Sequence, residues 1–371
     1  MSEKVPRTIL LGLTGLDIGG GIASVSRCIL RTLREDLSQG HLDRIDRVLL
    51  LENATHDRAV DPREMEWRCG GSQSKFFRTL WRAILRRRPD FVLFDHLGLA
   101  RALLPQIPSP RPRYGIFVHG GELVAVRDRP RLKALSRADC LLANSAHTER
   151  AIRELPTLAE TSPRVVPLCI EPDRLSRWSS LREVPIERPR QNAVLIVGRM
   201  VSDEPGKGHD ALLECWPSVR RQVPDAQLWV VGTGDDRNRL ESKAASLGES
   251  DHIFFLGGVS DEKLSELYRT AAVFAMPSRQ EGFGLVYLEA MWHGLPCIGS
   301  TADAASCLID DTCGRLVPYG DAKATASAIE ELLLDPSKRE CSGEAARKRS
   351  NEDFSFDRFA QELRRGLGLV E

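Results

Sequence analysis

Apolar residues fall in short unbroken runs along this chain, separated by longer polar stretches with helical periodicity. In the first half the runs are TILLGL (8–13), RVLLL (47–51), FVLF (91–94), YGIFVHG (114–120), CLLAN (140–144) and RVVPL (164–168). In the second half they are NAVLIVGR (192–199), AQLWVVG (226–232), HIFFLG (252–257), AVFAMPS (272–278) and PCIGS (296–300). Strands that are apolar on both faces and alternate with helices predict parallel sheets covered on each side. Each half also opens with a strand that runs into a glycine-containing turn. The expected fold is therefore α/β, with two doubly wound, Rossmann-like domains.

A length of 371 residues agrees with two domains, since it exceeds what one core usually holds. Segment 171–191 is polar, contains three prolines and lacks an apolar period, so it is read as the connection. The expected division is an N-terminal domain over 1–175, a linker over 176–191 and a C-terminal domain over 192–353. A last helix, 354–371, is expected to pack back toward the N-terminal domain. The only apolar core near the N-terminus, residues 9–13, is too short for a signal peptide or a membrane span. The nine cysteines are scattered without a Cys-x-x-Cys pair, which fits reduced cytoplasmic thiols. The eight histidines form no ligand-spaced cluster, so no metal and no other cofactor is expected.

The formal net charge is zero, but it is unevenly spread. Residues 1–180 carry 29 Lys and Arg against 21 Asp and Glu, a net of +8. Residues 181–371 carry 23 against 31, a net of −8. The basic half favours an anionic partner or surface. Nucleic acid is not expected, because there is no recognition motif and no basic-aromatic stacking platform.

Ligands of doubly wound sheets bind beyond the carboxyl ends of the strands, so a cleft between two such domains is the expected site. Three stretches follow strands. GLDIGGGIASVSR (15–27) brings Gly19, Gly20 and Gly21 to the start of a helix, where the backbone can approach an anion. A tight turn explains these glycines as readily, and they lack the G-x-G-x-x-G spacing of a dinucleotide site. VGRMVSDEPGKGHDALLE (197–214) places Arg199 and Lys207 around a loop that leads into a helix. A fork and a point charge at a strand mouth suit a diphosphate better than two unrelated surface cations.

The third stretch is EGFGLVYLEAMWHGLP (281–296). Glu281 precedes a helix, and Glu289 lies two turns inside it. N–H groups near Gly284, Leu285 and Val286 are free to face an anion. Glu281 and Glu289 then flank that anion, and carboxylates accept paired hydrogen bonds from vicinal hydroxyls. A diphosphate between two hydroxyl-bearing rings is a nucleotide sugar. A capping Glu followed by a solvated Glu is the plainer explanation, but an unpartnered carboxylate in so apolar a run is costly.

These motifs carry a resemblance. GR…KG, followed by FLGGVSDEKLSELYRTAAVFAMPSRQEGFGLVYLEAMWHGLPCI, is similar to the donor half of retaining glycosyltransferase family four. The likeness is strong over 192–300 and weaker across the N-terminal half. It implies the GT-B fold, two Rossmann-like domains facing across a cleft, with an N-terminal acceptor-side domain and a C-terminal nucleotide-sugar-binding domain. It also implies that Glu281 contacts the donor sugar and Glu289 the donor ribose. Gly282, Phe283, Gly284, Leu285 and Val286 lie between the two acids, while Arg199 and Lys207 neutralise the diphosphate. His119, in VHGGE, stands where the family has a histidine near the reacting sugar, and Gly20 and Gly21 face phosphate and acceptor. ANSAHT (143–148) is similar to the family's Ser-x-x-Thr helix start. Two departures stand out: the gap from Arg199 to Lys207 is long, and His293 replaces a small residue and is read as packing.

The function expected is transfer of a hexose, with retention and without a metal, from GDP-mannose or a UDP-sugar to a glycan or lipid-linked acceptor. A nucleotide-sugar epimerase and a catalytically silent binding protein are the alternatives. A glycosidase would also pair two acids, but it has no use for a diphosphate clamp. KFFRTLWRAILRRRPD (75–90) places Phe76, Phe77, Leu80, Trp81 and Ile84 on one face and Arg78, Arg82 and Arg86 in a stripe. A helix that packs on its sheet would show the same apolar face. The reading taken is peripheral association with an anionic membrane at its cytoplasmic face.

Overall fold

In the computed structural model, residues 5–53, 58–104, 112–123, 129–182, 191–203 and 205–370 are described. The chain divides into two compact units, one of residues 1–171 with 356–371 and one of residues 172–355.

The first unit is built on eight strands. They are β1 (Thr8–Leu13), β2 (Arg44–Leu49), β3 (Arg58–Asp61), β4 (Glu64–Arg68), β5 (Phe91–Phe94), β6 (Arg113–Val118), β7 (Cys140–Ala143) and β8 (Arg164–Val165). Their order is β3-β4-β2-β1-β5-β6-β7-β8, parallel throughout except for the β3–β4 pair. The chain leaves β1 toward β2 and later returns to β5 on its other side, so the turn after β1 lies at the switch point.

The hairpin β3–β4 carries no apolar run, which is why the sequence pattern omits it. Charge pairing replaces apolar packing there: Arg47 donates to Glu64 at 2.6 Å and to Glu66 at 2.7 Å, all three buried. Buried carboxylates are tolerable only with such partners. The helix Gln73–Arg87 turns Phe76, Leu80, Ala83 and Ile84 into the core beside Phe94 and Tyr114. Trp81 donates to the Ala102 carbonyl at 3.1 Å, and Phe77 packs partly against the same core. The apolar face expected to meet a membrane is therefore spent inside the unit. What it leaves outside is Arg78, Arg82, Leu85 and Arg86. The last helix, Phe356–Gly366, packs on the helix Gly21–Ser38, where Arg364 pairs with Asp36 at 2.9 Å.

The second unit has six parallel strands: β9 (Ala193–Val197), β10 (Gln227–Val231), β11 (Ile253–Gly257), β12 (Val273–Ala275), β13 (Cys297–Ser300) and β14 (Gly314–Val317). Their order is β11-β10-β9-β12-β13-β14. The direction of winding reverses between β9 and β12, which pair at Val194↔Val273 and Leu195↔Phe274.

Residues expected to form a linker begin instead with a helix, Pro172–Arg182, that belongs to this unit. Proline suits its first turn, where no N–H bond is lost. Trp178 anchors it, fully buried and packed edge-on to Tyr268. One large aromatic outweighs the polarity of its neighbours. The other two prolines of the expected linker, Pro185 and Pro189, lie outside the described residues.

Candidate active site

In the second unit the switch point gathers the loops that follow β9 and β12. They touch through their backbones, with Arg279 N–H donating to the Gly206 carbonyl at 2.7 Å. Gly208 has φ +93°, and a Cβ there would stand 2.9 Å from the Pro277 nitrogen, so the close approach requires glycine. That approach brings the Lys207 ammonium to Glu281 Oε2 at 2.7 Å. Both side chains keep 21% of their surface exposed, so the pair faces outward rather than into the core. Each retains bonding capacity: the ammonium has two further donors, and the carboxylate has lone pairs to spare. Arg199 follows β9 and is exposed.

The helix Leu285–Trp292 begins where the second loop ends. Its N-cap, Gly284, has φ +93° and supplies no side-chain cap. Leu285 and Val286, in its first turn, are half-exposed, whereas Tyr287 to Trp292 are buried. The arrangement presents uncapped N–H groups and the positive helix end next to the Lys207–Glu281 pair, as an anion requires. Phe283 is buried against Phe354, with ring centroids 5.9 Å apart. Its side chain packs, so Gly282 to Gly284 can offer a ligand backbone only.

Glu289 is more completely engaged than the sequence suggests. Its Oε1 accepts from Arg174, and its Oε2 accepts from the Tyr268 hydroxyl at 3.0 Å. Burial raises its pKa, and Arg174 and Tyr268 oppose that shift. His293 caps the end of this helix through Nδ1 to the Glu289 carbonyl at 2.8 Å. It also meets Ser265 at 3.0 Å and stacks on Tyr268.

An acid beside the Lys207–Glu281 pair was missed from sequence. Asp303, beyond β13, is buried; it accepts from the Ser278 hydroxyl and from the Ala305 N–H at 2.9 Å. Burial pushes its carboxyl up to about 6; Glu281 adds to the shift, while the Ser278 and Ala305 hydrogen bonds and Lys207 oppose it. The same loop binds Glu281 through Ala304 N–H to the Glu281 carbonyl at 3.1 Å. A carboxylate just beyond the strand next to β12 is the signal that could have revealed it.

The first unit holds the remaining candidates. His119 follows β6, and its Nε2 lies 2.7 Å from the Asp95 carbonyl oxygen. A carbonyl only accepts, so Nε2 carries the proton and Nδ1 is the basic nitrogen. Asp95 is fully buried and accepts from Thr14 N–H at 2.7 Å, the Thr14 hydroxyl at 3.1 Å and the Ser26 hydroxyl at 2.8 Å. Burial brings its carboxyl up to about 6 against those bonds. Asp95 thus joins the glycine loop after β1 to the turn carrying His119. Gly20, with φ +109°, is the N-cap of Gly21–Ser38, again without a side-chain cap, and open space surrounds it. The Ser-x-x-Thr start is a helix cap, with Thr148 N–H donating to Ser145 Oγ at 3.1 Å.

Two doubly wound α/β units, each with glycine turns at its switch point, serve many unrelated functions. Residues 179–349 match the family model of glycosyl transferases group 1. Among curated proteins, the chain is 36% identical over 162 residues to the GDP-mannose-dependent alpha-(1-6)-phosphatidylinositol monomannoside mannosyltransferase of Mycolicibacterium smegmatis. The match covers 42% of this chain and 42% of that protein, so less than half of the relative is spanned. A phosphatidyl-myo-inositol mannosyltransferase of Mycobacterium leprae is 42% identical over 149 residues, covering 40% of this chain and 38% of that protein. Among solved structures, sucrose-phosphate synthase from Thermosynechococcus elongatus aligns with a TM-score of 0.77 at 22% identity, covering 96% of this chain and 97% of that one. Anabaena HepE in complex with UDP and glucose aligns with a TM-score of 0.73 at 18% identity, covering 98% and 100%. The fold is that of the GT-B glycosyltransferases.

Proposed function

We propose that the protein is a retaining glycosyltransferase that moves a hexose from a nucleotide-diphosphate sugar to a lipid-linked or glycan acceptor. The Lys207–Glu281 pair carries this reading: it stands at the switch point beside an uncapped helix N-terminus. A diphosphate needs the cation and the N–H groups, and the sugar hydroxyls need the acid. GDP-mannose is the favoured donor and an inositol phospholipid the favoured acceptor class, because matching relatives carry those words in their names.

In the proposed reaction Arg199, Lys207 and the first turn of Leu285–Trp292 stabilise charge on the departing diphosphate. No metal is assigned to that task. The acceptor attacks the face from which the diphosphate leaves, and a departing phosphate oxygen takes the acceptor's proton. Glu281 orients the sugar through that step, while Glu289 holds the ribose. His119, whose basic nitrogen is Nδ1, is assigned to the reacting sugar.

Membrane contact is part of the proposal in reduced form. No described helix is long and apolar enough to cross a membrane. The aromatic face of Gln73–Arg87 is buried, so binding would rest on Arg78, Arg82 and Arg86 with Leu85 among them, against an anionic cytoplasmic leaflet.

The test separates the two acids kinetically. Glu281→Ala should lower kcat by about 100-fold, since sugar geometry and charge change during reaction. Glu289→Ala should mainly weaken nucleotide affinity, about 10-fold, because ribose contacts persist unchanged into the transition state. Loss of nucleotide affinity alone in both variants would overturn this assignment.

A further inference from the structure

Arg174 lies in the helix Pro172–Arg182, upstream of the segment that matches the family model. It makes three contacts. Its Nη1 bonds Glu289 Oε1, its Nε donates to Asp261 Oδ1 at 2.7 Å, and its guanidinium carbon stands 4.2 Å from the Trp178 ring centroid. The planar fork is thus fixed on two edges and one face, which an ammonium could not reproduce. Tyr268 closes the other side of the carboxylate, its hydroxyl donating to Glu289 Oε2 at 3.0 Å.

Glu289 is therefore held at both oxygens by two different helices, while 7% of its side-chain surface remains open. A carboxylate has about four lone-pair sites, so two remain for a ligand that arrives from the open side. Nothing in packing alone requires an acid at this position. A buried ion pair is often no more stable than apolar residues of the same volume, so its presence points to a task beyond stability.

We propose that Arg174 is a positioning residue for the donor nucleotide, fixing the orientation of Glu289 and keeping it ionised so that it accepts the ribose hydroxyls. The proposal rests on the reading of Glu289 as the ribose contact. Charged and titratable groups from several elements stand around the carboxylate among the described residues. They are Arg174, with Asp261 and Tyr268 from Asp261–Thr270; Arg177, which also bonds Asp261; His293 and Cys297 beyond the end of Leu285–Trp292; and Arg347, which bonds the His293 carbonyl. Of these only Arg174 places a cation on Glu289 itself. Burial raises the Glu289 pKa and Arg174 opposes it, so loss of the guanidinium must raise it further. A protonated carboxyl turns one oxygen into a donor and leaves a weaker, neutral acceptor for a hydroxyl pair. Binding by such a variant, taken as a ratio to wild type at the same pH, should therefore strengthen as pH rises.

The experiment is calorimetric titration of the full chain with GDP and with UDP, near pH 6 and near pH 8. The nucleotide that binds wild type more tightly is used for the variants. Arg174→Met should bind about 10-fold more weakly near pH 6 and regain much of that loss near pH 8. Arg174→Lys should bind more weakly than wild type by a similar factor at both pH values, because it restores the cation but not the fork. If Arg174→Met matches wild type at both pH values while Glu289→Ala is weakened, Arg174 is only structural and the proposal falls. If Glu289→Ala itself binds like wild type, the ribose reading falls first, and this proposal with it. Should Arg174→Met fail to fold, Arg174→Gln carries the same two-pH comparison, since it removes the charge but keeps a hydrogen-bond donor.

Discussion

Lys207 and Glu281 come from loops 74 positions apart in sequence, yet their charged atoms lie 2.7 Å apart. Each therefore conditions the other. Removing Lys207 takes a cation from the diphosphate and also leaves Glu281 unpaired, so Lys207→Ala should damage both binding and turnover. Arg199→Ala should be the cleaner probe of charge stabilisation, lowering kcat about 100-fold with little change in nucleotide affinity. Steady-state kinetics with a fixed acceptor would check it, and turnover within about twofold of wild type would remove Arg199 from the clamp. The acid pair was legible in the sequence because its spacing is local and set by one helix. Arg174 and Asp303 were not. They reach Glu289 and Ser278 through tertiary contacts across many intervening residues, and neither carries a local pattern that sets it apart.

At the scale of elements, the apolar runs located every strand except β3, β4 and β14. A run is visible when the strand itself is apolar, even where one face is partly exposed as in β11. Where salt bridges replace apolar contacts, as in Glu64 and Glu66 against Arg47, periodicity is silent. The helix Pro172–Arg182 was invisible for a related reason, since a single buried Trp178 sets its packing.

Charge pairing also fastens neighbouring helices in the second unit. Asp210, in the first turn of His209–Gln222, accepts from Arg239 at 2.7 Å and from Lys243 at 2.5 Å, both in Arg237–Ser246. Those bonds, Arg239 first, hold its carboxyl down at about 2. Because the folded state binds this proton more weakly than the unfolded chain, the contribution is complete above about pH 4 and disappears as pH falls toward 2. Asp210→Asn should cost on the order of 1 kcal/mol at neutral pH, discounted for partial exposure. Urea midpoints for variant and wild type should converge in acid. A gap of unchanged size near pH 2 would assign the loss to packing instead.

For the whole molecule, the distribution of charge bears on where the protein works. Residues 1–180 carry a net +8, and the exposed stripe Arg78, Arg82 and Arg86 lies within that half. Sedimentation with anionic vesicles should capture the protein at low salt. Salt should release it, and Arg82→Glu with Arg86→Glu should abolish capture. Binding to neutral vesicles alone would point to apolar insertion, which the buried Phe76, Leu80 and Ile84 leave no face to perform.

Donor turnover by these residues can be read in a single assay. The protein is incubated with GDP-mannose, or with UDP-glucose in parallel, and with phosphatidylinositol in mixed micelles. Released nucleoside diphosphate and the anomeric configuration of the product are followed by NMR, with EDTA present throughout. The expected result is nucleoside diphosphate and an α-linked glycoside formed from one donor, with release reduced about 100-fold by Arg199→Ala. Release that requires added manganese or magnesium, or a β-linked product from an α-linked donor, would contradict the mechanism proposed for these residues.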